Sequence, residues 1–299
     1  MKKPNFIIAG FPKCGTTSLH HYLNEHPEIY MPSQKELHFF THNILSKLNN
    51  GPKDNIVKKT QIDNSEQYLS FYRNVKNETA VGDASPSYIN YPAGFQEIKE
   101  YLNDPKLIIL LRDPINRAYS NYLHLKREQR ERLSFKEAVK IEGERKKNKY
   151  SDFWYYKFNS TYYQKIIKAK EVFSDVLILT SEELSNKNEV TMKKVYKFLD
   201  VDHNFKPKKK LKKFNEGGHY KKNFFTKIIF QPSTTRNIIK KFIKPTPFLK
   251  ILLARVASVF SMNPEKIDKQ TMMYLKTYFK DEVKKVKSLK IDISSWRDY

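Results

Sequence analysis

The chain has 299 residues, a net charge of +24 at pH 7 and a single cysteine, Cys14. The length allows one large or two small domains, and one cysteine excludes an intrachain disulfide or a cysteine-based zinc site. No apolar run reaches about 18 residues, the length that would predict a membrane-spanning helix. The first residues lead directly into an apolar run, so we expect no signal peptide and a cytoplasmic protein, either free or associated with a membrane surface.

Short apolar runs alternate with amphipathic stretches over the first two thirds of the chain. The runs predict buried strands, and the stretches that follow them predict helices, one of which begins at Pro114 because proline suits a first helical turn. Strands that are each followed by a helix imply a parallel sheet, so we expect an α/β fold with a central parallel sheet flanked by helices. The predicted strands are residues 5–10, 80–83, 106–111 and 176–180, and further predicted helices are 16–26, 190–199 and 272–289.

The positive charge is concentrated in one part of the chain. Residues 206–255 contain 15 Lys and Arg side chains against a single acid, Glu216. Such an excess indicates an anionic partner or a lysine-rich face exposed to solvent, and both interpretations stay open. Because net charge alone is a weak argument for nucleic-acid binding, we expect no nucleic-acid partner.

These patterns predict one domain over residues 1–299 with three parts. Residues 5–205 form the nucleotide-binding α/β core. Residues 206–262 form a basic, variable segment on the side of the second substrate, and residues 263–299 form a C-terminal helical segment.

Residues 10–17, with the sequence GFPKCGTT, have the spacing of a strand-to-helix phosphate loop. In nucleotide-hydrolysing loops, the second glycine is followed by Lys and then by a Ser or Thr that binds Mg²⁺. Here Thr16 follows Gly15, and the lysine is Lys13. We expect Lys13 to face the bridging or leaving oxygen of a nucleotide and Thr16 and Thr17 to bind its 5′-phosphate, with no metal required. A small-molecule kinase that depends on Mg²⁺ and ATP is the nearest alternative.

A second candidate anion site follows another predicted strand. Arg112 comes directly after the apolar run 106–111, and Ser120 lies eight residues later, two turns into the next helix. The carboxyl ends of parallel strands meet at one crevice, so Arg112 and Ser120 are expected near the phosphate loop. An arginine and a serine in this arrangement can hold a second, separate phosphate, which ATP lacks.

Together these residues resemble the PAPS-dependent sulfotransferases, in which 3′-phosphoadenosine 5′-phosphosulfate (PAPS) donates a sulfuryl group. Residues 11–18 are similar to the 5′-phosphosulfate loop of that family and residues 110–120 to its 3′-phosphate motif. The resemblance implies a P-loop-like sulfotransferase fold and transfer from PAPS to a hydroxyl or amine. Further similarity lies in residues 82–88, 177–184, 195–199 and 293–296. The donor-binding residues that the resemblance implies are Lys13, Cys14, Gly15, Thr16, Thr17, Ser18, Arg112 and Ser120.

Residues 33–40 are similar to a segment of the carbohydrate sulfotransferases, where a glutamate is the general base. That role would fall on Glu36. His38 competes on chemical grounds, because the ordinary histidine pKa lies nearer neutrality, and the choice between them stays open. The resemblance implies a carbohydrate or glycolipid acceptor. Two departures argue against a heparan-type acceptor: Ala84 stands where glycosaminoglycan-modifying relatives have lysine, and their late disulfide cannot form with one cysteine.

The basic segment contributes the last predictions. The family's late nucleotide loop falls near Lys213 and Gly218, and from this loop we assign Asn215 and Gly217 to the nucleotide. Residues 224–260 mix apolar side chains with Lys and Arg in a manner compatible with a helix at an anionic membrane surface. A non-catalytic module that binds nucleic acid or membranes is therefore a second alternative to an enzyme.

Overall fold

A five-stranded parallel sheet forms the centre of the molecule. The computed structural model describes residues 2–57, 61–207, 219–220, 261–262 and 266–299. All pairings in the central sheet are parallel and the strand order is β2-β3-β1-β4-β5, which confirms the predicted parallel sheet. The strands are β1 Phe6–Gly10, β2 Ile29–Tyr30, β3 Ala80–Asp83, β4 Lys106–Leu111 and β5 Val176–Thr180.

The central strands β1 and β4 are almost entirely apolar because both faces of the sheet are covered. All five residues of β1 and all but the first residue of β4 are buried. These strands lie in register, with Ile8 beside Ile108 and Leu107 beside Val176. A sheet buried on both faces favours continuous apolar runs over alternating ones, which is why these strands could be predicted.

Helices cover both faces of the sheet and extend beyond it. The predicted helix from Pro114 is present, with Asp113 at its N-cap accepting a hydrogen bond from the Asn116 amide at 2.8 Å. The helices are α1 Thr16–Leu23, α2 His42–Leu45, α3 Asp54–Val57, α4 Ser65–Ser70, α5 Phe95–Leu102, α6 Pro114–Arg127, α7 Phe135–Lys140, α8 Glu142–Lys147, α9 Tyr163–Val172, α10 Ser181–Asn186, α11 Asn188–Phe198 and α12 Lys269–Ser288. Short 3-10 helices are Phe39–Thr41, Tyr88–Asn90, Pro92–Gly94, Asp152–Trp154 and Phe158–Ser160.

The buried apolar side chains form two clusters. The larger one surrounds the sheet and includes Phe6, Ile108 and Tyr162. The second lies between α6, α7 and α12, around Trp154 and Phe279. Helix α6 contributes to the second cluster on one side and faces the ends of the strands on the other.

Most of the basic segment lies outside the described residues. This applies to the predicted nucleotide residues Asn215 and Gly217 and to residues 224–260, the stretch predicted to suit a membrane surface. The structure does describe an antiparallel pair of short strands in this region, β6 His219–Tyr220 and β7 Ser261–Met262. In the described part of the chain, no helix is both long enough and apolar enough to cross a bilayer.

Candidate active site

A cavity of about 540 Å³ lies at the carboxyl ends of the central strands. Its wall is formed by the segments that directly follow β1, β3, β4 and β5, as expected for an open parallel sheet. The predicted residues Lys13, Gly15, Thr16, Thr17, Ser18, Glu36, His38, Arg112 and Ser120 all line it.

The phosphate loop is shaped by two glycines. Gly15 has a φ of 96°, in the left-handed region that favours glycine, and its carbonyl accepts the first hydrogen bond of α1 from the Leu19 amide at 3.0 Å. A Cβ at Gly10 would lie 2.1 Å from Cγ2 of Ile89. Because the first-turn amides of a helix have no partner within it, those of α1 present N–H groups to the cavity together with the hydroxyls of Thr16 and Thr17.

Lys13 lies in the loop with a φ of 71° and points its ammonium group towards α6. Its Nζ is 3.4 Å from Nδ1 of His124, and its carbonyl accepts a hydrogen bond from Nη1 of Arg112 at 3.3 Å. Burial, and after it the nearby Arg127 guanidinium, lower the pKa of Lys13 to about 8. The amine is therefore charged at neutral pH but loses its charge in mildly alkaline solution, and an anion bound beside it would stabilise the charged form.

Arg112 and Ser120 lie on the same cavity, which places the two predicted anion sites together. The backbone carbonyl of Arg112 accepts a hydrogen bond from the Tyr162 hydroxyl at 2.9 Å. The next residue, Asp113, accepts one from Nε of Arg297 at 2.9 Å, so the C-terminal residues brace this motif. Trp296 takes part through Glu182, whose carboxylate accepts from the Trp296 indole and from the Asp113 amide, each at 3.3 Å.

Glu36 and His38 lie in a tight loop beside the end of β3. Both have positive φ, 62° and 57°, and the Glu36 amide donates to the carbonyl of Ala84 at 2.9 Å. Nδ1 of His38 is 2.7 Å from Oγ of Ser87, and its Nε2 is 3.9 Å from Oε2 of Glu36. Burial works to raise the pKa of the Glu36 carboxyl, but Lys35 and His38 outweigh it and hold that pKa below its ordinary value.

The loop of Glu36 and His38 is anchored by a buried carboxylate. Asp83 at the end of β3 accepts hydrogen bonds from Oγ of Ser85 at 2.7 Å and from the Tyr88 hydroxyl at 2.9 Å. Ser85 in turn accepts one from the His38 amide at 3.2 Å. Burial raises the pKa of Asp83. This network fixes the backbone conformation of the loop that carries Glu36 and His38.

A comparison with known protein families shows which family the chain belongs to. The sequence pattern described as "Sulfotransferase family" matches residues 4–205, a span that contains both anion sites and the loop of Glu36. The chain belongs to the sulfotransferase family. The resemblance inferred from the sequence motifs is thereby confirmed.

Individual curated relatives match this sulfotransferase over only part of the chain. It is 37% identical over 119 residues to the membrane-associated sulfotransferase kil1 of Dictyostelium discoideum, a match covering 40% of this chain and 22% of that protein. It is 30% identical over 166 residues to carbohydrate sulfotransferase 15 of Homo sapiens, covering 46% of this chain and 30% of that protein. The match thus spans less than a third of the length of these curated relatives.

A solved structure matches nearly the whole chain. The sulfotransferase from Alicyclobacillus acidocaldarius superposes with a TM-score of 0.77 at 28% sequence identity, covering 99% of this chain and 100% of that one. This match confirms the sulfotransferase fold.

Cys14 differs from the other predicted donor-binding residues of this sulfotransferase. Its side chain is fully buried and does not border the cavity, and its amide donates to the carbonyl of Phe11 at 3.2 Å. Burial raises the pKa of the thiol to about 12. The thiol of Cys14 packs beneath the loop as a small apolar group, and the contact of Cys14 with the donor stays a prediction.

Several residues of this cavity were missed by sequence reasoning. His124 and Arg127 follow Ser120 at positions i+4 and i+7 of α6, so they share its face, and this spacing was a signal that could have found them. Nδ1 of His124 is 2.9 Å from Nη2 of Arg127, and its Nε2 is 3.4 Å from Oε1 of Glu128. The sequence patterns also did not single out Lys35, whose Nζ lies 3.0 Å from Oγ1 of Thr17.

The electrostatics of the cavity come from protein side chains. In the residues that the structure describes, no group of three or more His, Cys, Asp or Glu side chains could hold a metal ion. Lys13, Arg112 and Arg127 bring positive charge to the cavity, and Glu36 and Glu128 bring negative charge. Burial would raise the pKa of Glu128, but His124 and Arg130 lower it to about 2.

Proposed function

We propose that this sulfotransferase takes its sulfuryl group from PAPS and transfers it to a hydroxyl or amine of a carbohydrate-containing acceptor. One observation carries the proposal: two separate groups of residues suited to anions border the same cavity. One is the loop of Lys13 and Thr16 with the N-terminus of α1, and the other is Arg112 with Ser120. A nucleotide with phosphates at both the 5′ and the 3′ position matches such a pair, whereas ATP lacks the second group.

Different residues would bind the two charged ends of the donor. Lys13, Gly15 and the hydroxyls and amides of residues 16–18 would bind the 5′-phosphosulfate, because a helix N-terminus and an ammonium group both favour negative charge. Arg112 and Ser120 would bind the 3′-phosphate, with Arg112 held in place through its backbone contact with Tyr162.

The chemistry supplied by PAPS is a sulfuryl group on a good leaving phosphate. Glu36 accepts the proton of the acceptor hydroxyl as the new bond between oxygen and sulfur forms and the bond from sulfur to the 5′-phosphate oxygen breaks. Lys13 neutralises the charge that develops on that departing phosphate, so the products are a sulfate ester and adenosine 3′,5′-bisphosphate. Such a loose, in-line transfer depends mainly on positioning and charge neutralisation.

The environment of Glu36 supports its choice as the base over His38. Its carboxyl side chain is 51% exposed and borders the cavity, so an acceptor hydroxyl can reach it. The His38 side chain is 18% exposed, and its ring lies between Ser87 and Glu36. We assign His38 the role of orienting Glu36.

The acceptor proposal draws on the other wall of the cavity and on the relatives. Glu128 and Asp152 bring carboxylate oxygens, which accept hydrogen bonds from hydroxyl groups, and Phe153 adds an aromatic face. One relative is named a carbohydrate sulfotransferase and another a membrane-associated one. A carbohydrate, free or on a glycolipid at an anionic membrane surface, is the acceptor class that we propose.

Calorimetric titration tests the donor directly. Adenosine 3′,5′-bisphosphate should bind more tightly than ADP or ATP by at least about tenfold, because only it occupies both anion sites. Replacing Ser120 with Ala and Arg112 with Met should remove that preference, with a larger loss of affinity for the bisphosphate than for ADP. Equal affinity for ATP and the bisphosphate in the unmodified protein would contradict the proposal.

A further inference from the structure

Lys35 lies between the phosphate loop and the candidate base. Its Nζ is 3.0 Å from Oγ1 of Thr17, 3.4 Å from Oγ1 of Thr16 and 3.3 Å from Oε1 of Glu36. Its side chain is only 14% exposed. One ammonium group thus connects the residues proposed to hold the donor with the residue proposed to activate the acceptor.

The direction of these hydrogen bonds has a chemical consequence. An ammonium group only donates, so the two threonine oxygens must accept from Lys35. Each hydroxyl proton of Thr16 and Thr17 then has to point elsewhere, and both residues border the cavity. The lysine therefore turns two hydroxyl donors towards the place where a phosphosulfate would bind.

The contact with Glu36 has a second consequence. The Lys35 ammonium group lies within ion-pair distance of the carboxylate, and the Glu36 backbone is tied to Ala84 by a hydrogen bond of 2.9 Å. Both partners of the ion pair are adjacent in sequence, so the pair is set by the local backbone. The positive charge favours the ionised form of the carboxyl, which is the form that accepts a proton.

We propose that Lys35 is a further cation of the sulfuryl-transfer site, a positioning residue that orients the Thr16 and Thr17 hydroxyls towards the donor and pairs with the Glu36 carboxylate. The inference rests on the proposed function. It adds to Lys13 a charge beside the loop hydroxyls, close to where charge develops in the transition state.

The test compares Lys35→Met, which removes the charge at nearly constant length, with Lys35→Arg, which keeps it. Lys35→Met should lower kcat for sulfuryl transfer from PAPS by about 10²-fold, whereas its affinity for adenosine 3′,5′-bisphosphate should change only a few-fold. In its profile of kcat/KM against pH, the loss of activity on the acid side should occur at a higher pH, because the pKa of Glu36 is then higher. Lys35→Arg should restore most of the turnover, and the exposed Lys47→Met serves as the matched control.

A readout that does not depend on PAPS separates this inference from the proposed function. The Glu36 carboxyl can be titrated by carbon-13 NMR in the unmodified protein and in both variants. We expect its pKa to rise in Lys35→Met and to stay low in Lys35→Arg and Lys47→Met. An unchanged Glu36 pKa in Lys35→Met, or unchanged kcat, overturns the role of Lys35. If the unmodified protein transfers nothing from PAPS, the proposed function fails, and the titration alone then decides the role of Lys35.

Discussion

Lys13 is a charged group held where its charge is easily lost. Burial lowers its pKa to about 8, and the neighbouring Arg127 and Arg112 side chains act in the same direction. In the ligand-free protein, the lysine therefore passes from charged to neutral just above neutral pH. A bound phosphate reverses the shift, because an opposite charge favours the ammonium form.

This titration predicts a pH dependence of nucleotide binding. Affinity for adenosine 3′,5′-bisphosphate should be constant below pH 8 and fall by up to about tenfold per pH unit above it, because binding then requires uptake of a proton by Lys13. Calorimetry between pH 7 and pH 9.5 measures the effect. Lys13→Ala should bind more weakly and lose this slope, and it should lower turnover by about 10²–10³-fold.

A variant that keeps its charge provides the control. Lys13→Arg remains protonated over the whole range, so its affinity should not decline above pH 8. A decline of equal steepness in Lys13→Arg would show that another group is responsible and would contradict the role assigned to Lys13.

At the residue level, the sequence predicted which segments meet but not which side chains turn inward. Spacing placed Lys13, Thr16 and Arg112 at strand and helix ends, and all three border the cavity. The same spacing cannot distinguish Cys14, which the loop backbone turns into the core. Lys35 was missed because its contacts with the first turn of α1 depend on the path of a loop, for which no sequence period exists.

Among the larger elements, a buried carboxylate joins three segments next to the cavity. Asp54, at the start of α3, accepts hydrogen bonds from the Ser151 amide at 2.8 Å and the Trp154 indole at 3.1 Å, and it pairs with Arg130. Arg130 also donates to Glu128 at 3.1 Å. This cluster connects α3 and the end of α6 with the 3-10 helix Asp152–Trp154.

Removing the charge of Asp54 should therefore destabilise the protein. Asp54→Asn leaves the buried Arg130 without its main counter-ion, and we expect a loss of about 3–5 kcal/mol in the free energy of unfolding. Urea denaturation measures it. Asp200→Asn is the matched control: its pair with Lys106 is exposed, so the loss should be under about 1 kcal/mol. Similar values for both variants would contradict this account.

The elements themselves were predicted to different degrees. β1 and β4 were predictable because β1 is apolar throughout and β4 is apolar after Lys106, whereas β2 has only two residues and leaves no pattern to detect. The last helix was predicted from residue 272 but begins at Lys269. Its start is set by Asp268, whose side chain accepts from the Thr271 amide at 2.9 Å, a capping signal that lies before the apolar periodicity.

Over the whole molecule, residues near 297 reach back to the start of α6. Nε of Arg297 donates to Asp113 at 2.9 Å, and its guanidinium also contacts Asn116. The Tyr299 hydroxyl accepts from the Ile115 amide at 3.4 Å. The motif resemblance at 293–296 was visible in the sequence, but this contact was not, because it joins residues 184 positions apart.

The contact predicts an effect on nucleotide binding from outside the cavity. Arg297→Ala should weaken binding of adenosine 3′,5′-bisphosphate by about tenfold, because Asp113 then holds Arg112 and the start of α6 less firmly. Titration calorimetry gives the affinity, and the exposed Lys290→Ala should match the unmodified protein. An unchanged affinity in Arg297→Ala would show that the contact serves stability alone.

The contact between Asp113 and residues near 297 also links nucleotide binding to the stability of the folded protein. Arg297 braces Asp113 beside Arg112, so a nucleotide at the anion sites is expected to bind the folded protein in preference to the unfolded chain. Such a ligand stabilises the folded protein by RT ln(1 + [L]/Kd), about 2.7 kcal/mol at one hundred times Kd. We therefore expect proteolysis of the protein to slow as the concentration of a bound nucleotide such as adenosine 3′,5′-bisphosphate rises.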